Sequence, residues 1–335
     1  MTGFELYLKR NSKKFDEYLS TFFRDGEHPD MRRYLYAPLA SYTANAGKRH
    51  RPLICLLACE AVGGDPEKAW PAAAAIEHFH SAALIHDDIE DASTTRRGEP
   101  CLHVAEGDGL AINAGDLALS LVTGTVVDDP GLDDATKLRV LHELVEMTTR
   151  TIEGQALDIG WARDHRFDLT VEDYLVMANH KTAFYSGAVP LAIGSIIGGG
   201  SEDQTEVLRG FGMAAGLAFQ IQDDVLNLVG TKEATKKDFR SDLTEGKRTL
   251  VAVHALEHAP SKARLLEILA AHETDTAVLA EAVAVMQAAD SIDYAVSYAS
   301  NLVVGAKDSL HSALPKSRAK DLLLSMADFF IKRSS

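Results

Sequence analysis

Residues 80–91 read HSAALIHDDIED and run on to a pair of arginines, Arg96 and Arg97. If the apolar part is helical, Asp87 and Asp91 stand one turn apart on one face, where their carboxylates can share a hard divalent cation such as Mg2+. A second pair, Asp223 and Asp224 in FQIQDDVLNL, ends another mostly apolar, helix-compatible run. Carboxylates at the mouth of a buried helix repel one another and lose hydration, and a divalent ion removes both problems. Two such clusters with lysines and arginines nearby describe a site that clamps a diphosphate between metal ions and cations. For either pair taken alone, a solvated acidic helix end is the competing reading.

The rest of the composition agrees with a helical protein. Of the 335 residues, 46% are hydrophobic and only 7% aromatic, and glycine and proline fall at segment ends. This favours an all-α chain that forms one large domain over residues 1–335 rather than a sandwich or barrel. The net charge of −15, with no basic tract to offset it, argues against nucleic acid as a partner. Cys55, Cys59 and Cys101 are too few for a disulfide framework and lack further ligands at metal-site spacing, so they read as reduced core residues. The N-terminal MTGFELYLKR has no signal-like apolar region, and no uninterrupted apolar run reaches membrane-spanning length. A cytoplasmic protein that is not an integral membrane protein is the expectation.

Helical patterns cover residues 4–23, 31–45, 51–62, an Ala-rich run through His86, 110–127, 133–162, 171–197 as one or two helices, and 201–228. Residues 250–332 hold three or four more amphipathic helices. GKRHRP at 47–52 combines a permissive Gly47 with Lys48, Arg49 and Arg51 at the start of a helix opened by Pro52, which is anion-binding chemistry. GQALD places Gln155 and Asp158 three apart on one face of an apolar helix. Lys181, in the apolar NHKTAFYSG, is costly there unless its ammonium reaches an anion. TKEATKKDFRSDLTEGKRT, residues 231–249, has the composition of a flap and presents Lys236, Lys237, Lys247 and Arg248.

GKRHRP, HSAALIHDDIED followed by RRGEP, GQALD, HKTA, FQIQDD and DLTEGKRT occur here in the order, and at separations similar to those, found in the trans-isoprenyl diphosphate synthases. The chain resembles that polyprenyl synthetase family over roughly residues 30 to 260 by motif. The resemblance implies an isoprenoid synthase fold, an all-α bundle of about ten or more helices around a central cavity, usually a homodimer. It implies elongation of an allylic diphosphate (dimethylallyl, geranyl or farnesyl) with isopentenyl diphosphate, using three Mg2+ ions. Carried over residue by residue, Asp87, Asp88, Asp91, Asp223 and Asp224 would hold the metal. Arg96, Lys181 and Lys237 would contact the allylic diphosphate, with Lys247 closing over it. Lys48, Arg51, His80 and Arg97 resemble the metal-free pocket for isopentenyl diphosphate. Thr182 and Gln220 would direct oxygen dipoles at the developing allylic cation, and Gln155 and Asp158 would position that cation or the lysine. Asn227 stands where the second motif commonly carries a further aspartate, which keeps an acceptor and loses a charge.

Product length in this family is set upstream of the first aspartate motif. There the sequence has Ala82 and Ala83, where farnesyl synthases often place an aromatic floor. The tail pocket is then expected to run deeper, to Phe79, about 5 Å further along the helix. A product of geranylgeranyl length or somewhat longer follows, unless the alanines serve only close helix packing. A farnesyl or much longer-chain synthase, a terpene cyclase on the same fold, and a non-catalytic regulatory subunit are the alternatives. The cyclase has no need of Lys48, Arg51, His80 and Arg97, and the regulatory subunit has no need of five intact aspartates.

Overall fold

The computed structural model describes residues 2–45, 47–229 and 240–331. The chain folds as two compact units, each assembled from several stretches of sequence. The first comprises residues 1–146, 190–205 and 315–323; the second comprises 147–189, 206–314 and 324–335. The all-α expectation holds. Among the described residues the only β structure is a two-stranded ribbon, Thr95–Arg96 against Glu99–Pro100.

In the first unit, helix Gly3–Leu19 opens with a reciprocal capping box between Thr2 and Glu5 and buries Phe4, Leu8, Phe15 and Leu19, a helical stripe. Helix His50–Ala61 is buried nearly all round, including Cys55 and Cys59, which are free thiols. Burial pushes both thiols up, Cys59 to about 12, which keeps them protonated and inert. Helix Trp70–Glu90 carries the first aspartate motif at its C-terminal end. It packs along helix Asp108–Val127, where Ala82 and Ile85 meet Ala111, Ala114 and Ala118 in one buried cluster.

Helix Asp108–Val127 is, by length and composition alone, apolar enough to cross a membrane, although Asn113 and Asp116 interrupt its apolar run. Its only charged residues are Asp108 and Asp116. Ala111, Ala114 and Ala118 on one face of it are buried against Trp70–Glu90.

In the second unit, helix Val171–Ala178 starts from a Thr170/Asp173 capping box and continues as a π-helical segment, Asn179–Ala188, that carries Lys181 and Thr182. Such wide turns interrupt the regular side-chain register and recur at functional sites. Helix Glu202–Val229 carries the second aspartate pair near its C-terminal end. Among the described residues beyond 249 there are five helices rather than three or four: Leu250–His258, Lys262–Ala270, Thr276–Ala288, Ser291–Ala313 and Arg318–Ile331. Pro260 and Pro315, which lack an N–H to continue a helix, and Asp290 at φ 53° supply three of the breaks.

Candidate active site

The first acidic cluster sits where a helix ends. Asp91 is the C-cap of Trp70–Glu90, and the chain reverses through Ser93 N–H to Asp88 C=O at 2.9 Å and Ala92 N–H to Ile89 C=O at 3.1 Å, a Schellman turn. The helix dipole is negative here, so three aspartates in the last turn are electrostatically costly without a counter-charge. The ribbon supplies part of one. Its two-residue turn is Arg97-Gly98, both at positive φ (56° and 86°), the primed geometry that matches strand twist. Arginine is not a favoured residue at such a position, and strain of this kind collects at functional sites.

The turn aims two neighbouring arginines at different targets. Arg96 binds Asp88 through Nε and Asp87 through Nη2 at 3.2 Å. Asp88, only 1% exposed, also accepts from the Tyr42 hydroxyl at 3.1 Å, so both its oxygens are held by protein donors. Asp87 is half-buried and Asp91 exposed.

Arg97 reaches back to the carbonyl of Asn45 at 2.6 Å. Its guanidinium lies over Gly47, where an added Cβ would stand 2.9 Å from Nη2. Arg51 is buried, with Nη1 3.2 Å from Nε2 of His80. Burial, together with the nearby Arg51 and Arg97 charges, pushes His80 well below the usual imidazole range, so the neutral ring can accept from Arg51. Lys48 is exposed at the start of the same loop. The first unit sets Arg51 against His80 and Arg97 over Gly47, with Lys48 exposed on the same loop. Arg49, counted with the cations in the motif reading, turns inward instead.

In the second unit, Asp224 is buried, accepts from the Tyr174 hydroxyl at 3.0 Å and from Gln220 Nε2 at 2.8 Å, and lies near Asp242 and Asp223. Burial, then the negative charges of Asp242 and Asp223, push its carboxyl up to about 8 against the lowering effect of those two donors. Asp242 was not singled out by sequence, because it sits among many charges in DLTEG. Asn227, whose role the sequence left open, fastens this residue: its Oδ1 accepts from Asp242 N–H at 3.2 Å and its Nδ2 donates to Ser241 Oγ at 3.1 Å. Lys247 pairs with Glu245 at 2.8 Å and Asp242 at 3.6 Å. Arg248 is buried against Phe167 and donates to the Arg166 and Gly246 carbonyls, a structural placement. Lys236 and Lys237 lie outside the described residues.

Lys181 meets Asp158 at 2.5 Å, joining two motifs that the sequence placed 23 residues apart. Gly154 makes that approach possible, since a Cβ there would stand 2.2 Å from the Lys181 backbone nitrogen. Gln155 is half-buried one residue further on, and Thr182 is buried in the π-helical segment.

Among the described residues no three His, Cys, Asp or Glu side chains converge closely enough to hold an ion. The donor set nevertheless fits Mg2+: hard carboxylate oxygens cluster at two helix C-termini, and in the second cluster burial, then the neighbouring negative charges, push one carboxyl toward protonation. A divalent cation offsets both costs.

The chain belongs to the polyprenyl synthetase family of trans-prenyltransferases, whose family model matches residues 32–286. It is 41% identical over 289 residues to the short chain isoprenyl diphosphate synthase of Methanothermobacter thermautotrophicus, covering 86% of each chain. It is 36% identical over 304 residues to the geranylfarnesyl diphosphate synthase of Natronomonas pharaonis, again covering 86% of each. Its fold is similar to the crystal structure of geranylgeranyl pyrophosphate synthetase from Pyrococcus horikoshii, with a TM-score of 0.91, 35% identity and 98% of both chains covered.

Proposed function

We propose that the protein condenses isopentenyl diphosphate with an allylic diphosphate to give an all-trans polyprenyl diphosphate of geranylgeranyl length or somewhat longer. The observation that carries this reading is the gathering, within one unit, of the first aspartate motif and a separate cation set around GKRHRP. A cyclase needs only the former. In this reading Lys48, Arg51, His80 and Arg97 hold isopentenyl diphosphate by charge and hydrogen bonds alone. Asp87, Asp88, Asp91, Asp223 and Asp224 would hold Mg2+, with the protein donors on Asp88 and Asp224 orienting those two carboxylates. Bound Mg2+ supplies the positive charge that stabilises diphosphate as a leaving group.

Arg96, Lys181, Lys237 and Lys247 add cationic contacts to the allylic diphosphate. Asp158 holds Lys181 in place, and Gln155, Thr182 and Gln220 present dipoles toward the allylic carbons. The carbon–oxygen bond breaks, the isopentenyl double bond attacks the allylic cation, and the departing diphosphate accepts the proton then lost. No protein nucleophile is required.

Helices Asp134–Arg163, Glu202–Val229 and Arg318–Ile331 each contribute residues to both compact units, which supports a single synthase domain over residues 1–335. Helix Asp134–Arg163 also supports a homodimer, because Leu138, Val145, Ile152 and Ile159 recur every seventh residue and are exposed.

For product length, Ala82 is buried against Ala111, Ala114 and Ala118, which is close helix packing, so the tail path toward Phe79 rests on the missing aromatic floor at Ala82 and Ala83 and on the relatives. The relatives named for geranylgeranyl and geranylfarnesyl products agree with that span. The test is a product assay with Mg2+, isopentenyl diphosphate and each allylic primer in turn, read by mass. Products of twenty to twenty-five carbons that lengthen in Phe79→Ala are expected (about five carbons per helical turn of about 5 Å). A fifteen-carbon product would refute the pocket argument, and a cyclic hydrocarbon made without isopentenyl diphosphate would refute the reaction.

A further inference from the structure

GKRHRP holds three side-chain cations, and the middle one faces the wrong way to bind substrate. Arg49 is 3% exposed, at φ 52°, and is the N-cap of helix His50–Ala61. Its Nη1 donates to Glu77 Oε1, its Nη2 to the Thr43 carbonyl, and its Nε to Asp16 Oδ1 at 2.6 Å. Every guanidinium nitrogen thus has a protein acceptor. Glu77 is itself 2% exposed, and its other oxygen, Oε2, is buried without a hydrogen-bond partner among the described residues.

Such a pair is a poor way to gain stability, since desolvating two charges offsets most of their attraction. What a guanidinium with three acceptors provides is direction. Glu77 lies one turn before His80 on helix Trp70–Glu90, so the pair references the GKRHRP loop to the helix that carries His80. Asp16 references it to helix Gly3–Leu19, and the Thr43 carbonyl fixes the loop's entry. Arg97 grips the same loop through the Asn45 carbonyl. With Arg49 locked in the left-handed conformation, the flanking residues diverge: Lys48 is exposed and Arg51 reaches His80.

We infer that Arg49 is a positioning residue for the isopentenyl diphosphate pocket, its buried pair with Glu77 setting the separation of Lys48, Arg51 and His80 without touching the substrate. The inference rests on the function proposed above. It distinguishes Arg49 from its neighbours by selectivity: its loss disturbs one of two substrate sites.

The test compares wild type with Arg49→Lys, Arg49→Met, Glu77→Gln and the double variant Arg49→Met/Glu77→Met. KM is measured separately for isopentenyl and geranyl diphosphate, with Tm and calorimetric binding of isopentenyl diphosphate alongside. In Arg49→Met, KM for isopentenyl diphosphate is expected to rise on the order of tenfold, as for a displacement of about 1 Å, while KM for geranyl diphosphate stays within about twofold. The double variant is expected to regain the wild-type Tm and keep the raised KM, since two apolar residues restore packing and leave the loop undirected. Should Arg49→Met not fold, the same split is expected, in smaller degree, from Arg49→Lys and Glu77→Gln. Equal changes in both KM values, no change in either, or recovery of KM together with Tm in the double variant would overturn the inference alone. Wild-type protein that consumes no isopentenyl diphosphate would overturn the functional reading with it.

Discussion

In each aspartate pair the second residue is buried and accepts from a tyrosine: Tyr42 on Asp88 at 3.1 Å and Tyr174 on Asp224 at 3.0 Å. The sequence treats the members of each pair as equals, because adjacent carboxylates look alike in a string. Burial separates them, leaving Asp87 and Asp223 more accessible to a ligand. A buried histidine outside the site contributes to the acid stability. His78 lies edge-to-face with Phe22 and Phe23, with ring centroids 5.2 and 5.9 Å away, and its Nε2 has no hydrogen-bond partner among the described residues. Burial pushes its imidazole down to about 3. The folded ring therefore stays neutral while the unfolded one takes up a proton below about 6.5. The unfolded state binds more protons between those values, so this contribution to stability is complete above pH 6.5 and is lost as pH falls toward 3. At about 1.4 kcal/mol per pH unit, wild type should lose about 2 kcal/mol more than His78→Phe between pH 6.5 and 5. Urea denaturation of both proteins checks this, and parallel pH profiles would contradict it.

At the scale of elements, the long helices were legible because apolar spacing is local, and their starts and stops carry caps and prolines. The ribbon of Thr95–Arg96 and Glu99–Pro100 was not, since two-residue strands have no periodicity and Arg97 is an unusual residue for a primed turn. The π-helical turn through Lys181 was likewise invisible, because its sequence suits a regular helix. Helix Asp134–Arg163 carries the prediction for this scale. Its exposed stripe of Leu138, Val145, Ile152 and Ile159 fits a second copy of the chain. Val145→Asp together with Ile152→Asp should convert a dimer into monomers by light scattering. An unchanged mass would mean the stripe is not the interface.

At the scale of the whole molecule, the acidic clusters and the cation set are pre-built, with ion pairs standing in for ligands: Arg96 on Asp87 and Asp88, Lys247 on Asp242 and Glu245. On the function proposed above, metal and diphosphate together would exchange these internal partners for stronger ones. Mg2+ with inorganic diphosphate at about one hundred times its dissociation constant should raise Tm by roughly 5 °C. Diphosphate with EDTA should raise it less, and EDTA alone should leave the far-ultraviolet circular dichroism unchanged. Equal shifts with and without metal would assign the anion to cationic side chains alone.

The sequence by itself determined the helical class, the position of each aspartate motif at the end of an apolar run, and the family, because periodicity and short ordered motifs are properties of neighbouring residues. Only the tertiary structure decided what the motif residues face. Arg49 belongs to the same six-residue motif as Lys48 and Arg51 but turns to Glu77 and Asp16, and Lys181 finds Asp158. Those partners are distant along the chain, so no local spacing specifies them. The desolvation cost of burying a charge makes each one seek an opposite charge wherever the fold brings it.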